Sequence, residues 1–243
     1  MSTGIDVETL KLRSRDVDMH RRLRTSELFK LLQEASIRHT EALGMGREKT
    51  LDKGLLWVVT MQRCEISRMP EYDERVTLTS WPGEMMHVFF PRYYRVADEN
   101  DETLVSASAL WMLVDEKTRK MVFPDEWGVE IAGVRTGREI PLPSGLKKLA
   151  FTEEARFTVP FSYVDLNGHM NNTRYFDLAE DHIPAAAEGR RLRAVSTEYT
   201  AEARFRDELQ LRWGREGGRF LLEGASDRPC FRLSMDYEMN EKP

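Results

Sequence analysis

Asp165, Asn167 and His169 recur at i, i+2 and i+4 in the run Tyr-Val-Asp-Leu-Asn-Gly-His-Met-Asn-Asn-Thr-Arg-Tyr that spans 163–175. On an extended backbone that spacing sends three polar side chains to one face. Gly168 loosens the chain beside them, and Asn171 or Asn172 offers an N-cap to a helix over 173–181. A carboxylate, a carboxamide and an imidazole are thus gathered just ahead of a helix N-terminus. Backbone N–H groups and the helix dipole favour negative charge there, which suits attack on an acyl group.

The elements that must hold these residues come in two similar sets. A shift of 147 residues lays Asp18-Met-His20 on Asp165-Leu-Asn167, Phe29 on Phe176 and Leu31 on Leu178. In the first set a helix is predicted from Ser26 to about Leu43, with Leu28, Leu31, Leu32 and Ala35 on one face. Thr25 or Ser26 is its expected N-cap and Gly44 its C-cap. The period then drops to two, predicting strands near 55–67, 73–81, 86–97, 103–114 and 119–123. The second half predicts strands near 153–162, 193–205, 207–214, 219–226 and 229–239, with a hairpin signal at Gly217-Gly218. Residues 134–150 hold Gly137, Pro141, Pro143 and Gly145 without a period and read as a linker. The expected plan is α+β, with domains at 1–133 and 151–243.

Composition excludes several classes. The chain has 243 residues, 41% hydrophobic and 32% charged, enough for a solid core. No apolar run approaches the roughly 20 residues of a membrane span. The N-terminus lacks the pattern of a signal or transit peptide, which makes the expected location cytoplasmic. Cys64 and Cys230 are the only cysteines and have no metal-like spacing. A net charge of −5 gives nucleic-acid binding no electrostatic support.

The motif Asp165-x-Asn167-x-His169-x-Asn171-Asn172-x-x-Tyr175 resembles that of the acyl-acyl carrier protein thioesterases. Leu31-Leu-Gln-Glu-Ala-Ser, Leu55-Leu-Trp-Val-Val-Thr-Met-Gln-Arg-Cys-Glu-Ile, Val76-Thr-Leu-Thr-Ser-Trp-Pro and Ala109-Leu-Trp-Met-Leu-Val-Asp also look like family segments. So does Glu198-Tyr-Thr-Ala-Glu202-Ala203, which resembles the segment ending in a catalytic glutamate and a cysteine. The resemblance implies two tandem hot-dog domains, each a sheet wrapped around a helix, with the sheets joined edge to edge. It implies hydrolysis of acyl-acyl carrier protein by Asp165, Asn167, His169 and Glu202. It also makes the carrier protein the partner, with no nucleic acid and no membrane involved, and allows a monomer or a homodimer.

Thioester hydrolysis needs a base, an oxyanion donor and an orienting group. Glu202, on the strand expected at 193–205, would face inward into poor solvent, the environment a base at neutral pH requires. His169 is a second proton carrier, and Asn167 can donate to the carbonyl or hold the water. Asp165 either orients His169 or attacks the carbonyl itself. N–H groups near His169 and Met170 are the expected oxyanion hole. Alanine at 203 excludes the thiol nucleophile that many family members carry there. Neither a metal nor an organic cofactor is implied.

The first half has His20 and Arg22 where the second has Asn167 and His169, so one active site per chain is expected. The first domain would supply the acyl pocket, with Leu28, Leu32, Trp57, Val59 and Met61 as candidate lining or simply core. The carrier is acidic, and Arg156, Arg174, Lys147 and Lys148 are candidates for its basic docking patch. Three rivals are an acyl-coenzyme A thioesterase, a hot-dog dehydratase and a non-catalytic acyl-binding protein. The chain lacks the His-x-x-x-x-Gly-x-Pro pattern of the dehydratase.

Overall fold

The computed structural model describes residues 4–239. The first half contains β1 (Asp6–Lys11), α1 (Thr25–Ala42), β2 (Leu55–Ile66), β3 (Arg75–Pro82), β4 (Phe89–Ala97) and β5 (Thr103–Asp115). The second contains β6 (Glu153–Thr158), α2 (Arg174–Glu180), α3 (Pro184–Ala187), β7 (Leu192–Tyr199), β8 (Glu208–Glu216), β9 (Arg219–Ala225) and β10 (Pro229–Tyr237). All ten strands join one sheet, in the order β1-β3-β4-β5-β2-β7-β10-β9-β8-β6.

That order is the same five-strand arrangement written twice, back to back. The seam is the antiparallel pairing of β2 with β7, from Met61 opposite Glu198 to Glu65 opposite Ala194. Here two edges that would otherwise expose unpaired N–H and C=O groups satisfy each other. The tandem hot-dog plan with sheets joined edge to edge is therefore what the chain adopts. Residues 134–150 form no helix or strand. Hydrogen bonds pin this stretch across the sheet, among them Ser108 Oγ donating to Pro141 O at 2.6 Å and Leu146 N donating to Glu198 Oε1 at 2.6 Å.

α1 is helical for the reason its pattern suggests. Leu28, Leu32 and Ala35 fall on one stripe with Phe29, and all are buried. Burying a leucine or phenylalanine side chain stabilises the fold by roughly 1.5–3 kcal/mol. Phe29 stacks on Phe176 of α2 with ring centroids 4.0 Å apart, which joins the cores of the two halves. Gly44 follows the helix at φ +77°, where a side chain would be strained.

Four local expectations need correction. The N-cap of α1 is Arg24, without a side-chain bond, because Thr25 Oγ1 is turned to Glu180 instead. β1 precedes α1 and lies outside the strands expected for the first half. Residues 119–123 are not a strand; they turn back after β5, with a single bridge between Met121 and Val114. β7 stops at Tyr199, so the strand expected to reach 205 ends before Glu202. Among the described residues no helix is long and apolar enough to cross a membrane.

Candidate active site

The 165–169 segment is a tight turn rather than an extended run. Val164 bridges Met170, Asp165 N donates to His169 O at 2.9 Å, and Gly168 N donates to Asp165 O at 3.0 Å. Gly168 has φ +79°, which closes the turn at no steric cost. Asp165 Oδ1 accepts from Asn167 N at 2.9 Å, an Asx turn that fixes the loop. The i, i+2, i+4 spacing thus works through a turn and not through strand alternation. Asn167 sits exposed near its tip, while His169 returns toward the body.

Asn171 is the cap that the spacing suggested, one step removed. The helix begins at Arg174 behind Thr173, and Asn171 Oδ1 accepts from Thr173 N at 2.9 Å and from Thr173 Oγ1 at 2.7 Å. Its Nδ2 donates to Asp165 Oδ2 at 3.4 Å. Both oxygens of Asp165 are therefore engaged by Asn167 and Asn171 rather than by the His169 ring.

Glu202 lies in the loop after β7, not in mid-strand, and its side chain is 31% exposed. It nonetheless reaches His169: Oε2 is 2.9 Å from Nε2. The loop brings it there because Met170 N donates to Ala203 O at 2.7 Å and His169 bridges Arg204. That bond commits the Met170 N–H, which removes one of the two donors expected for an oxyanion hole. Asp165, Asn167, His169 and Glu202 all line one cleft of about 310 Å³.

A fifth residue enters the cleft from the other half. Arg119, at φ +57° in the turn after β5, places Nη1 3.2 Å from Glu202 Oε1 and Nη2 3.2 Å from His169 Nε2. A neutral imidazole satisfies only one of its two neighbours through Nε2, and the shorter contact is the carboxylate. Burial lowers the affinity of His169 for a proton. Glu202 opposes that shift, and the cations of Arg119 and Arg204 reinforce it. Sequence reasoning missed Arg119 because its turn of charged residues resembles any solvated loop. The positive φ and the distance along the chain leave no local signal.

The other expected positions divide. Trp57 and Val59 line the cleft, and Trp57 also borders a second, apolar cavity of about 190 Å³ beside Met45, Phe90, Trp111 and Ile131. Leu28 and Leu32 are core and border neither cavity. Met61 borders neither and lies half-buried at the seam. Glu198 holds Leu146 N and Arg232, and Glu208 pairs with Arg156, so neither nearby glutamate serves this cleft. Arg174 pairs with Asp177 away from it, and Lys147 and Lys148 do not line it. The arginines that do line it are Arg119, Arg204 and Arg228. Cys64 and Cys230 are fully buried.

The chain matches the family model described as acyl-ACP thioesterase N-terminal domain over residues 7–127. It matches that of the C-terminal domain over 146–227. It is 27% identical over 212 residues to a chloroplastic acyl-[acyl-carrier-protein] hydrolase of Cuphea viscosissima, covering 81% of this chain and 52% of that protein. It is 24% identical over 211 residues to the chloroplastic palmitoyl-acyl carrier protein thioesterase of Arabidopsis thaliana, covering 80% and 51%. The chain spans about half the length of the curated relatives it matches. An acyl-ACP thioesterase from Bacteroides thetaiotaomicron has a similar fold, with a TM-score of 0.82 over 97% of this chain and 98% of that one, at 22% identity. The 12:0-ACP thioesterase of Umbellularia californica gives 0.80 over 98% of each, at 20% identity.

Proposed function

For this chain, a member of the acyl-ACP thioesterase family, we propose hydrolysis of acyl-acyl carrier protein to a free fatty acid and the carrier thiol. The observation that carries this reading is the 2.9 Å pairing of His169 with Glu202 in a cleft that Asp165 and Asn167 also wall. Water adds to the thioester carbon and gives its proton to Glu202, directly or through His169. The carbon–sulfur bond then breaks, and the thiolate leaves or takes that proton back. Attack by Asp165 is the other route, with the same water step following on an anhydride. Asn167 and Arg119 are the donors for the developing oxyanion. Losing one such donor typically costs about 3 kcal/mol of barrier.

The acyl chain is assigned to the first half. Trp57 borders both the cleft and the second cavity, whose apolar side is formed by Met45, Phe90, Trp111 and Ile131. Arg119, Arg204 and Arg228 line the cleft and are offered as basic groups for an acidic carrier, beside the candidates Arg156, Arg174, Lys147 and Lys148. Parallel turnover on carrier-linked and coenzyme A-linked acyl groups is the test. Faster hydrolysis of the carrier thioester is the expected result. A coenzyme A preference above about tenfold, some 1.4 kcal/mol, would defeat the choice of carrier. Acyl binding without hydrolysis of either would establish a binding protein instead.

A further inference from the structure

The loop at 18–22 repeats the catalytic loop bond for bond. Val17 bridges Leu23 as Val164 bridges Met170, and Asp18 Oδ1 accepts from His20 N at 2.8 Å as Asp165 Oδ1 does from Asn167 N. Leu23 N donates to Pro70 O as Met170 N does to Ala203 O. By that register Arg22 stands where His169 stands, and Met69 where Glu202 stands. No acid–base pair remains, yet this mouth opens on a cavity of about 520 Å³, larger than the catalytic cleft and within the usual range for a ligand pocket.

The cavity gathers groups of a different kind. α1 begins on its wall with Arg24, Thr25, Ser26 and Glu27. The N–H groups of Ser26 and Glu27 have no acceptor among the described residues. Ser26 is 1% exposed, and its hydroxyl has no partner among the described residues. The guanidinium groups of Arg22 and Arg24 are held by carbonyls, Gly189 O at 2.8 Å and Val17 O at 3.1 Å; neither forms a close ion pair among the described residues, and Arg24 acts on Glu180 only through its field. The acids on the wall are mostly engaged: Glu27 pairs with Lys30, Asp177 with Arg174, and Glu180 accepts from Thr25 Oγ1. Asp18 turns Oδ1 into its own loop, and Asp181 alone has no such partner. Leu23, Met69, Leu192 and Tyr237 add an apolar side.

We propose that this cavity is a second, non-catalytic site that binds a small molecule carrying an oxyanion, a carboxylate or a phosphate. The first turn of α1, Ser26 Oγ and the guanidinium groups of Arg22 and Arg24 receive the anion. The apolar side receives a short hydrocarbon body where the ligand has one.

The test is calorimetric titration of the full chain with sodium octanoate and, separately, with sodium phosphate. At least one of them binds saturably, and the double variant Ser26→Ala/Arg24→Gln weakens that binding by about tenfold or more. The thermal midpoint and any thioester turnover stay near the parent values, since neither residue lines the catalytic cleft. Ala187→Trp, which fills the cavity from its wall and leaves both arginines in place, abolishes the binding if the double variant folds poorly. Octanoate without phosphate identifies a carboxylate on an apolar body; phosphate without octanoate identifies a phosphate ligand. No saturable heat with either probe, or binding unchanged in the variants, overturns the proposal. Binding is read directly, so a chain that hydrolyses nothing leaves this test intact.

Discussion

His169 and Glu202 illustrate how little covalent distance says about a site. One sits on a turn before α2, the other past the end of β7, and a single backbone bond from Met170 N to Ala203 O holds them together. Truncating His169→Ala or Asn167→Ala, or neutralising Glu202→Gln, is expected to cut turnover by at least about 10²-fold while the fold survives. Near-parent kcat in any one of the three would remove that residue from the mechanism. Arg119 yields a pH prediction. Its cation helps hold the proton affinity of His169 down, so Arg119→Gln lets that affinity rise. The imidazole then stays charged to higher pH, and the acid limb of the kcat/KM profile moves upward. A limb that stays put or moves down would contradict the electrostatic role. The motif at 165–169 announced itself in the sequence because its residue types are unusual in combination. The turn that makes it work did not, since a two-residue spacing is shared by strands and by a glycine-closed Asx turn.

At the level of elements, the strands with clear two-residue alternation were legible from end to end, as β2, β3 and β5 show. β1 was not, because six residues at a chain end give too short a pattern. The alternation at 193–199 extends in the sequence toward Glu202, whereas pairing with β10 ends at Tyr199 opposite Phe231. Trp57, on β2, lies between the cleft that holds His169 and Glu202 and the second cavity, and packs edge-on against Phe90 at 4.8 Å. Trp57→Leu removes much of that partition, so the product profile from carrier-loaded chains of graded length should shift to longer acids. An unchanged profile would place the acyl chain elsewhere. Where α2 meets α1, burial pushes Glu180 up to about 7, well above the usual carboxylate range. The folded chain then holds a proton that the unfolded chain has already released, so stability falls as pH rises through that window. Glu180→Gln is expected to melt later than the parent at about pH 8, by up to roughly 3 kcal/mol, with the gap closing toward about pH 5. Equal pH dependence in parent and variant would count against a buried, proton-holding Glu180.

For the molecule as a whole, the ten strands share one hydrogen-bonded sheet and the helices share the Phe29–Phe176 stack. Unfolding should therefore be one cooperative event, with calorimetric and van't Hoff enthalpies equal. Two resolved transitions would mean that the halves are energetically separate despite the β2–β7 seam. The duplication could be glimpsed in the sequence at Asp18 and Asp165. Edge-to-edge joining came with the resemblance alone; that β2 and β7 are the strands that meet has no local pattern, because it depends on which strand ends up outermost.

Covalent fusion of the halves has a genetic consequence that the loop at 18–22 records. In a pair of identical subunits every substitution lands at both mouths at once. A single gene carrying both copies can alter one and leave the other alone. Arg22 and Met69 differ from His169 and Glu202 in that way: the turn at 18–22 keeps the bonds of the turn at 165–169, with other side chains at the two positions.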